Sequence, residues 1–164
     1  MVDAKGADYI EQLDLISVWL PEGEEQPPIG SLVRYTIEPE IMASYPPQAR
    51  AISLEIIEEE SKPVKTSLDI AVRIREHQPS DTVILDVRTP EEFSQGHVAE
   101  AVNLPLAELN DDTLSHYDGD ATLIVYCRSG NRSASAARIL DKAGFKVVID
   151  AGGINSYSGE KVVE

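Results

Sequence analysis

Cysteine is nearly absent from this chain: among 164 residues there is one, Cys127. A single thiol excludes an internal disulfide and any zinc site built from several cysteines. Histidine is also scarce, and His77, His97 and His116 are scattered without the spacing of metal ligands. No metal is therefore expected. Positive charge is the next shortage. Only 14 Lys and Arg stand against 29 Asp and Glu, a formal net charge of -15. Such a field repels the phosphates of nucleic acid and the anionic face of a membrane, so neither is an expected partner. No apolar run approaches the ~20 residues of a membrane span. The first residues, MVDAKGADYI, lack the basic and apolar segments of an export signal. That points to the cytoplasm, or to the periplasm or secretion if a signal has been removed.

The chain changes character at the acidic run EIIEEESKP (55–63), where Pro63 discourages a helix from continuing. Residues 1–62 favour strands and loops. YIEQLDLISVWL (9–20) alternates roughly, PEGEEQPPIG (21–30) is loop by composition, and SLVRYTI and ARAISLEII are strand candidates turned by YPPQ. A small β-rich module of unknown function is expected there, either sandwich-like or an arm, with a protein partner as one use. Residues 63–164 alternate strands and helices. TSLDIAVRIREH repeats apolar residues at Leu68, Ile70, Ala71 and Ile74 behind a Thr/Ser cap, which predicts a short helix. TVILDV and ATLIVYC are continuous apolar runs, the mark of strands buried on both faces. Between them, Thr89 and Pro90 open a helix in TPEEFSQ, AVNLPL reads as a short strand, and TLSHYD as a brief helix or loop. SASAARILDKAG is a helix closed by Gly144, and FKVVID a third buried strand. This order predicts a doubly wound α/β domain, a parallel sheet with helices on both faces. Reaction sites in such folds lie at the carboxyl ends of the strands, where Cys127 falls.

Cys127 is followed by Arg128, Ser129, Gly130, Asn131 and Arg132 before a helix beginning near Ser133. Gly130 and Asn131 can take left-handed backbone angles, which lets the segment curl into a cup of inward-pointing N–H groups. The positive end of the next helix adds to that field. A thiol at the floor is shifted toward the thiolate, the nucleophilic form. Arg128 and Arg132 would hold a substrate oxyanion at the rim, Arg132 being the firmer assignment. The competing reading is a buried structural cysteine. The polar, doubly basic segment that follows it argues against that.

Residues from about 64 to 164, three-fifths of the chain, resemble a rhodanese domain. The resemblance is carried by ILDVRTPEEFSQGHVAEAVNLPL (84–106), LIVYCRSGNRSASAARIL (123–140) and AGGI (151–154). It implies a rhodanese-like doubly wound sheet, and a Cys127 that takes a sulfane sulfur from thiosulfate or another persulfide donor. The sulfur then passes to a thiophilic acceptor such as cyanide or a thiol, and no organic cofactor or metal is implied. The amides of residues 128–132, with Ser133 behind them, would hold the persulfide, and Arg128 would meet the anionic donor. The resemblance gives Asp86 and Arg88 a mainly structural role, with Arg88 pairing to an acid such as Glu92 and Asp86 able to line the pocket. His97 becomes a structural turn residue, and Gly152 and Gly153 backbone requirements near the rim. After GGI the family's usual aromatic is replaced by NSY, with Tyr157 displaced or substituting before a C-terminal helix. The Cys-x4-Arg spacing makes a shorter cup than the Cys-x5-Arg of the related phosphatases, and favours sulfur over a phosphate ester. A non-catalytic docking domain is the other alternative, and retention of cysteine and loop counts against it.

Overall fold

The computed structural model describes residues 17–25, 32–42, 48–58, 63–77 and 79–163. The chain divides into two compact units, Met1–Glu60 and Ser61–Glu164. In the first, strands β1 (Ser17–Trp19), β2 (Leu32–Met42) and β3 (Gln48–Glu58) form a sheet in the order β1-β3-β2. β2 and β3 pair antiparallel, while β1 runs parallel to β3. Pro39 lacks the N–H that a ladder needs, and it falls where the register slips: Ile37 pairs with Ala51 but Ile41 with Ala49. Among the described residues this unit is one sheet and not a sandwich of two. YPPQ and most of YIEQLDLISVWL lie outside or at the margin of the described residues.

In the second unit, five strands form a sheet in the order β4-β9-β8-β5-β7: β4 (Val64–Lys65), β9 (Val147–Gly153), β8 (Thr122–Cys127), β5 (Thr82–Asp86) and β7 (Val102–Asn103). Every pairing in it is parallel. Helices α1 (Leu68–His77), α2 (Pro90–Ser94), α3 (Asp111–Leu114) and α4 (Asn131–Lys142) connect the strands. The apolar runs are continuous because both faces of the sheet are covered. Ile84, Ile124, Tyr126, Ile149 and Ala151 point one way and pack with Leu68 and Ala71 of α1. Their neighbours Leu85, Leu123, Val125, Cys127 and Val148 point the other way, onto Ala136, Ala137 and Leu140 of α4. Residues adjacent in a strand therefore belong to opposite cores.

The helix ends follow the local chemistry. Ser67 Oγ accepts from the Ile70 N–H at the start of α1. Thr89 and Glu92 form a reciprocal capping box around Pro90 at the start of α2. α4 starts two residues before the expected position, with Gly130 as its N-cap at φ +104. Only a residue without a Cβ takes that angle cheaply, and the helix therefore begins at Asn131. Asn131 is helical and not left-handed, contrary to the sequence expectation.

The region after GGI also departs from expectation. Ile154–Ser156 is a single 3-10 turn, and Lys161–Val162 forms a strand, β10, antiparallel to β6 (His97–Val98). β-branched valines favour this extended end over the helix that the resemblance implied. Tyr157 packs, half-buried, against the α1 core cluster.

Every helix among the described residues lies in the second unit, so far-UV ellipticity reports mainly on that unit. Leu140 is fully buried where α4 meets the sheet. Leu140→Ala is expected to destabilise the second unit by about 2–5 kcal/mol. A urea titration followed by ellipticity checks this, and an unchanged midpoint would contradict the packing described.

Candidate functional site

β8 delivers Cys127 to the carboxyl edge of the sheet, and α4 rises at once from Gly130. The sulfur therefore sits under the positive end of a twelve-residue helix. The residue keeps only 1% of its surface. The Gly130 N–H donates to Cys127 Sγ at 3.1 Å. Burial pushes the thiol up, but hydrogen bonding from the amides of Ser133, Gly130, Ser129 and Arg132 outweighs it, and the thiol lies below its ordinary value. Ser129 and Gly130 belong to the turn, whereas Arg132 and Ser133 are in the first helical turn. The cup is thus half loop and half helix, and its donors are backbone groups that need no side-chain ordering.

Gly153 makes room for it, and Gly152 before it takes a left-handed angle, φ +73. β9 passes directly beneath the turn, and a Cβ on Gly153 would lie 2.7 Å from both Arg128 O and Ser129 Cα. Both are backbone atoms, so no side-chain rotation could relieve the clash. The Asn155 N–H then donates to Arg128 O at 3.2 Å. Gly152 and Gly153 are backbone requirements, as their place in AGGI suggests.

The arginines divide differently from expectation. Arg132 does not stand free at the rim. Its Nη1 and Nη2 donate to the two carboxylate oxygens of Glu92 at 2.6 and 2.8 Å. Glu92 Oε2 also accepts from the Thr89 N–H at 3.2 Å, so one carboxylate caps α2 and clamps it to α4. The Arg132 guanidinium holds the Glu92 carboxyl well below its usual range, at about 2. Arg128 remains exposed, and among the described residues no carboxylate pairs with it. It is the accessible cation of the segment.

Arg88 was expected on Glu92, but Arg132 has taken that acid. Arg88 instead forms a buried two-point pair with Asp86, through Nε and Nη2 at 2.9 and 2.6 Å, and Nη2 also donates to Gly96 O. Asp86, fully buried, is thereby neutralised within its own strand end. Asn103 Nδ2 donates to the carbonyls of Asp86 and Arg88 and ties β7 to the same corner. The guanidinium lies 5.8 Å from the Tyr126 ring centre, and burial raises the Tyr126 phenol far above its ordinary range, keeping it neutral. Its oxygen accepts from the Val98 N–H at 3.2 Å. His97 stacks on Phe93 and hydrogen-bonds the Phe93 carbonyl, a structural placement. Asp86 and Arg88 therefore brace the site from behind.

One buried acid had no role in the sequence reading: Asp150, at the end of the run FKVVID. Its Oδ1 accepts from Ser133 Oγ at 2.6 Å and from the Gly152 N–H at 3.1 Å. The signal was present, since an acid within an apolar strand needs a buried partner. The identity of that partner, 17 residues upstream, was not legible.

A family model for the rhodanese-like domain matches residues 67–160. The chain belongs to that family. The matched residues lie wholly within the second unit and include the cup, both ion pairs and Asp150. The rhodanese domain is 38% identical over 79 residues to the thiosulfate sulfurtransferase PspE of Escherichia coli, a match covering 48% of this chain and 76% of that protein. It is 30% identical over 97 residues to the putative sulfurtransferase YtwF of Bacillus subtilis, covering 59% of this chain and 93% of that one. A solved rhodanese-related protein from Thermoplasma volcanium aligns with a TM-score of 0.50 at 29% identity, over 63% of this chain and 99% of that chain. These relatives place the domain in a sulfurtransferase family, and the α/β fold is that of its neighbours.

The Glu92–Arg132 clamp has a pH signature. A carboxyl lowered in the folded state contributes stability that is present above its unfolded value, near 4.5, and is lost as pH falls through about 2. Carbon-detected NMR is expected to find Glu92 titrating near 2 in the wild type and moving up toward the ordinary range in Arg132→Ala. A Glu92 midpoint unaffected by that substitution would contradict the clamp.

Proposed function

We propose that this rhodanese domain is a thiosulfate-using sulfurtransferase in which Cys127 carries the sulfur. The observation that supports this most directly is the Gly130 N–H donating to Cys127 Sγ at 3.1 Å at the start of α4, where backbone amides favour negative charge on the sulfur. A thiolate so held needs no separate general base at neutral pH, and the same donors suit the anionic outer sulfur of a persulfide.

The reaction proceeds in two displacements. The Cys127 thiolate attacks the outer sulfur of thiosulfate, forming a new S–S bond. The bond between that sulfur and the sulfonate sulfur breaks, and sulfite leaves with the electron pair. An acceptor nucleophile, cyanide or a thiolate, then attacks the outer sulfur of the persulfide, and Cys127 departs as thiolate. No net oxidation occurs, since each step exchanges one sulfur nucleophile for another. Arg128 is the side chain to which the sulfonate would be drawn, because Arg132 is already neutralised by Glu92. This assignment reverses the ranking of the two arginines that sequence alone suggested. The short Cys-x4-Arg cup and the deep burial of the sulfur both suit a slim donor.

Thiosulfate treatment is expected to leave the intact protein heavier by one sulfur, with an equivalent of sulfite released, and Cys127→Ser to do neither. Arg128→Ala is expected to raise KM for thiosulfate roughly tenfold with a smaller effect on kcat, as for one lost charge-assisted contact. Absence of a sulfur adduct on the wild type, or equal turnover by Cys127→Ser, would overturn the proposal. Phosphate ester hydrolysis that depends on Cys127 would replace it.

A further inference from the structure

Asp150 is buried, acidic, and unaccounted for by the displacement chemistry. It is 6% exposed, within an apolar strand, and among the described residues no basic side chain pairs with it. A buried carboxylate without a counter-charge needs strong hydrogen bonds. Those found here all lead toward the cup. Ser133 is 0% exposed and is the third residue of α4. Its hydroxyl lies 2.6 Å from Asp150 Oδ1, 2.9 Å from Gly130 O and 3.1 Å from Gly152 O. A hydroxyl has one proton, and the carboxyl oxygen, the closest of the three acceptors, receives it. Gly152, held by the same carboxylate oxygen, lies at φ +73 directly against Gly130: a Cβ on Gly130 would be 3.7 Å from Gly152 Cα. One oxygen therefore fixes both the first turn of α4 and the strand segment on which the Gly130 turn rests.

We propose that Asp150 is a positioning residue for Cys127, acting through Ser133 and Gly152 to hold the amides of residues 129–133 on the sulfur. The inference rests on reading Cys127 as the sulfur carrier, and it assigns Asp150 no contact with substrate. Geometry makes the effect specific. The Gly130 N–H is the donor to Cys127 Sγ, at 3.1 Å, and the Gly130 carbonyl lies 2.9 Å from the Ser133 hydroxyl that Asp150 grips. If the grip is released, the first turn of α4 is free to fray, as helix starts do when their end groups lose partners. The other carboxylates around the cup are already engaged: Glu92 of α2 with Arg132, and Asp86 with Arg88 beside β5. Removing Asp150 therefore leaves no spare carboxylate to replace it.

The test uses the full chain and Asp150→Ala, Asp150→Asn and Ser133→Ala. Ultraviolet thiolate absorbance gives the Cys127 ionisation midpoint without any sulfur donor, and stopped-flow sulfite release gives the rate of loading from thiosulfate. The Asp150→Ala and Ser133→Ala midpoints are expected to rise by roughly one pH unit, the equivalent of one weakened hydrogen bond to a charged sulfur. Loading below that midpoint should slow about tenfold through kcat, with KM little changed. Asp150→Asn, which retains an acceptor oxygen, should recover most of both. Combining Ser133→Ala with Asp150→Ala should add little to either alone. A merely structural role would lower the unfolding temperature and leave the midpoint of the folded protein unchanged. That result overturns the proposal, as does a midpoint that falls in Asp150→Asn, because the carboxylate would then act by repulsion. If Asp150→Ala fails to fold, Ser133→Ala and Asp150→Asn decide the question by the same criteria. Failure of thiosulfate loading in the wild type would defeat the sulfur-carrier reading, while the midpoints would still report on Asp150.

Discussion

The second unit is organised around one constraint: a buried sulfur must lie against the backbone N–H groups of its own turn. Consecutive amides converge on a point only where the chain reverses tightly, and here the reversal is Gly130 between the end of β8 and the start of α4. The left-handed angle at Gly130 turns the Ser129 and Gly130 amides inward, and the helix that follows aims those of Arg132 and Ser133 at the same atom. Much else at this end of the sheet serves that turn. Gly153 lacks a Cβ so that β9 can pass beneath it, and Asn155 donates to its carbonyl at Arg128. The opposing alternation of the two cores seats Cys127 on the α4 face and Tyr126 on the other.

For an acidic protein to take the proposed anionic donor, its local field must differ from its global one. The two ion pairs nearest the cup do this by cancelling charge. Asp86 and Arg88 form a closed pair at the end of β5, and Glu92 and Arg132 join α2 to α4. Neither arginine carries much uncompensated charge, and the local positive field is left to helix amides and to exposed Arg128. Pairs of this kind contribute geometry more reliably than net stability, because desolvation offsets much of their attraction. The Glu92 clamp is half-exposed and its stabilising effect is correspondingly screened. Its value lies in fixing α2 against the first turn of α4.

Elements whose signals are local were legible in the sequence. The apolar runs of β5 and β8, the Thr89–Pro90 helix start and the Gly144 stop each follow from residues within a few positions of one another. The turn after Cys127 was legible for the same reason, since Gly130, its left-handed residue and donor to the sulfur, lies three residues on. Pairings were not. The resemblance implied Arg88 as the partner of Glu92, and only the packing of α2 on α4 decides that Arg132, 40 residues away, takes it. Asp150 depends on Ser133 across two elements, a relation with no local signature. The start of α4 was placed late because Asn and Arg are unremarkable helix starters, and the glycine that sets the boundary acts through its angle. In the first unit the strands were anticipated, but nothing in their residues names a partner.

A crystal structure of the protein after thiosulfate treatment tests the central claim most directly. An added sulfur bonded to Cys127 Sγ and pointing into the amides of residues 129–133 is the predicted result. An unmodified thiol, or a persulfide whose outer sulfur turns away from those amides, would contradict the account.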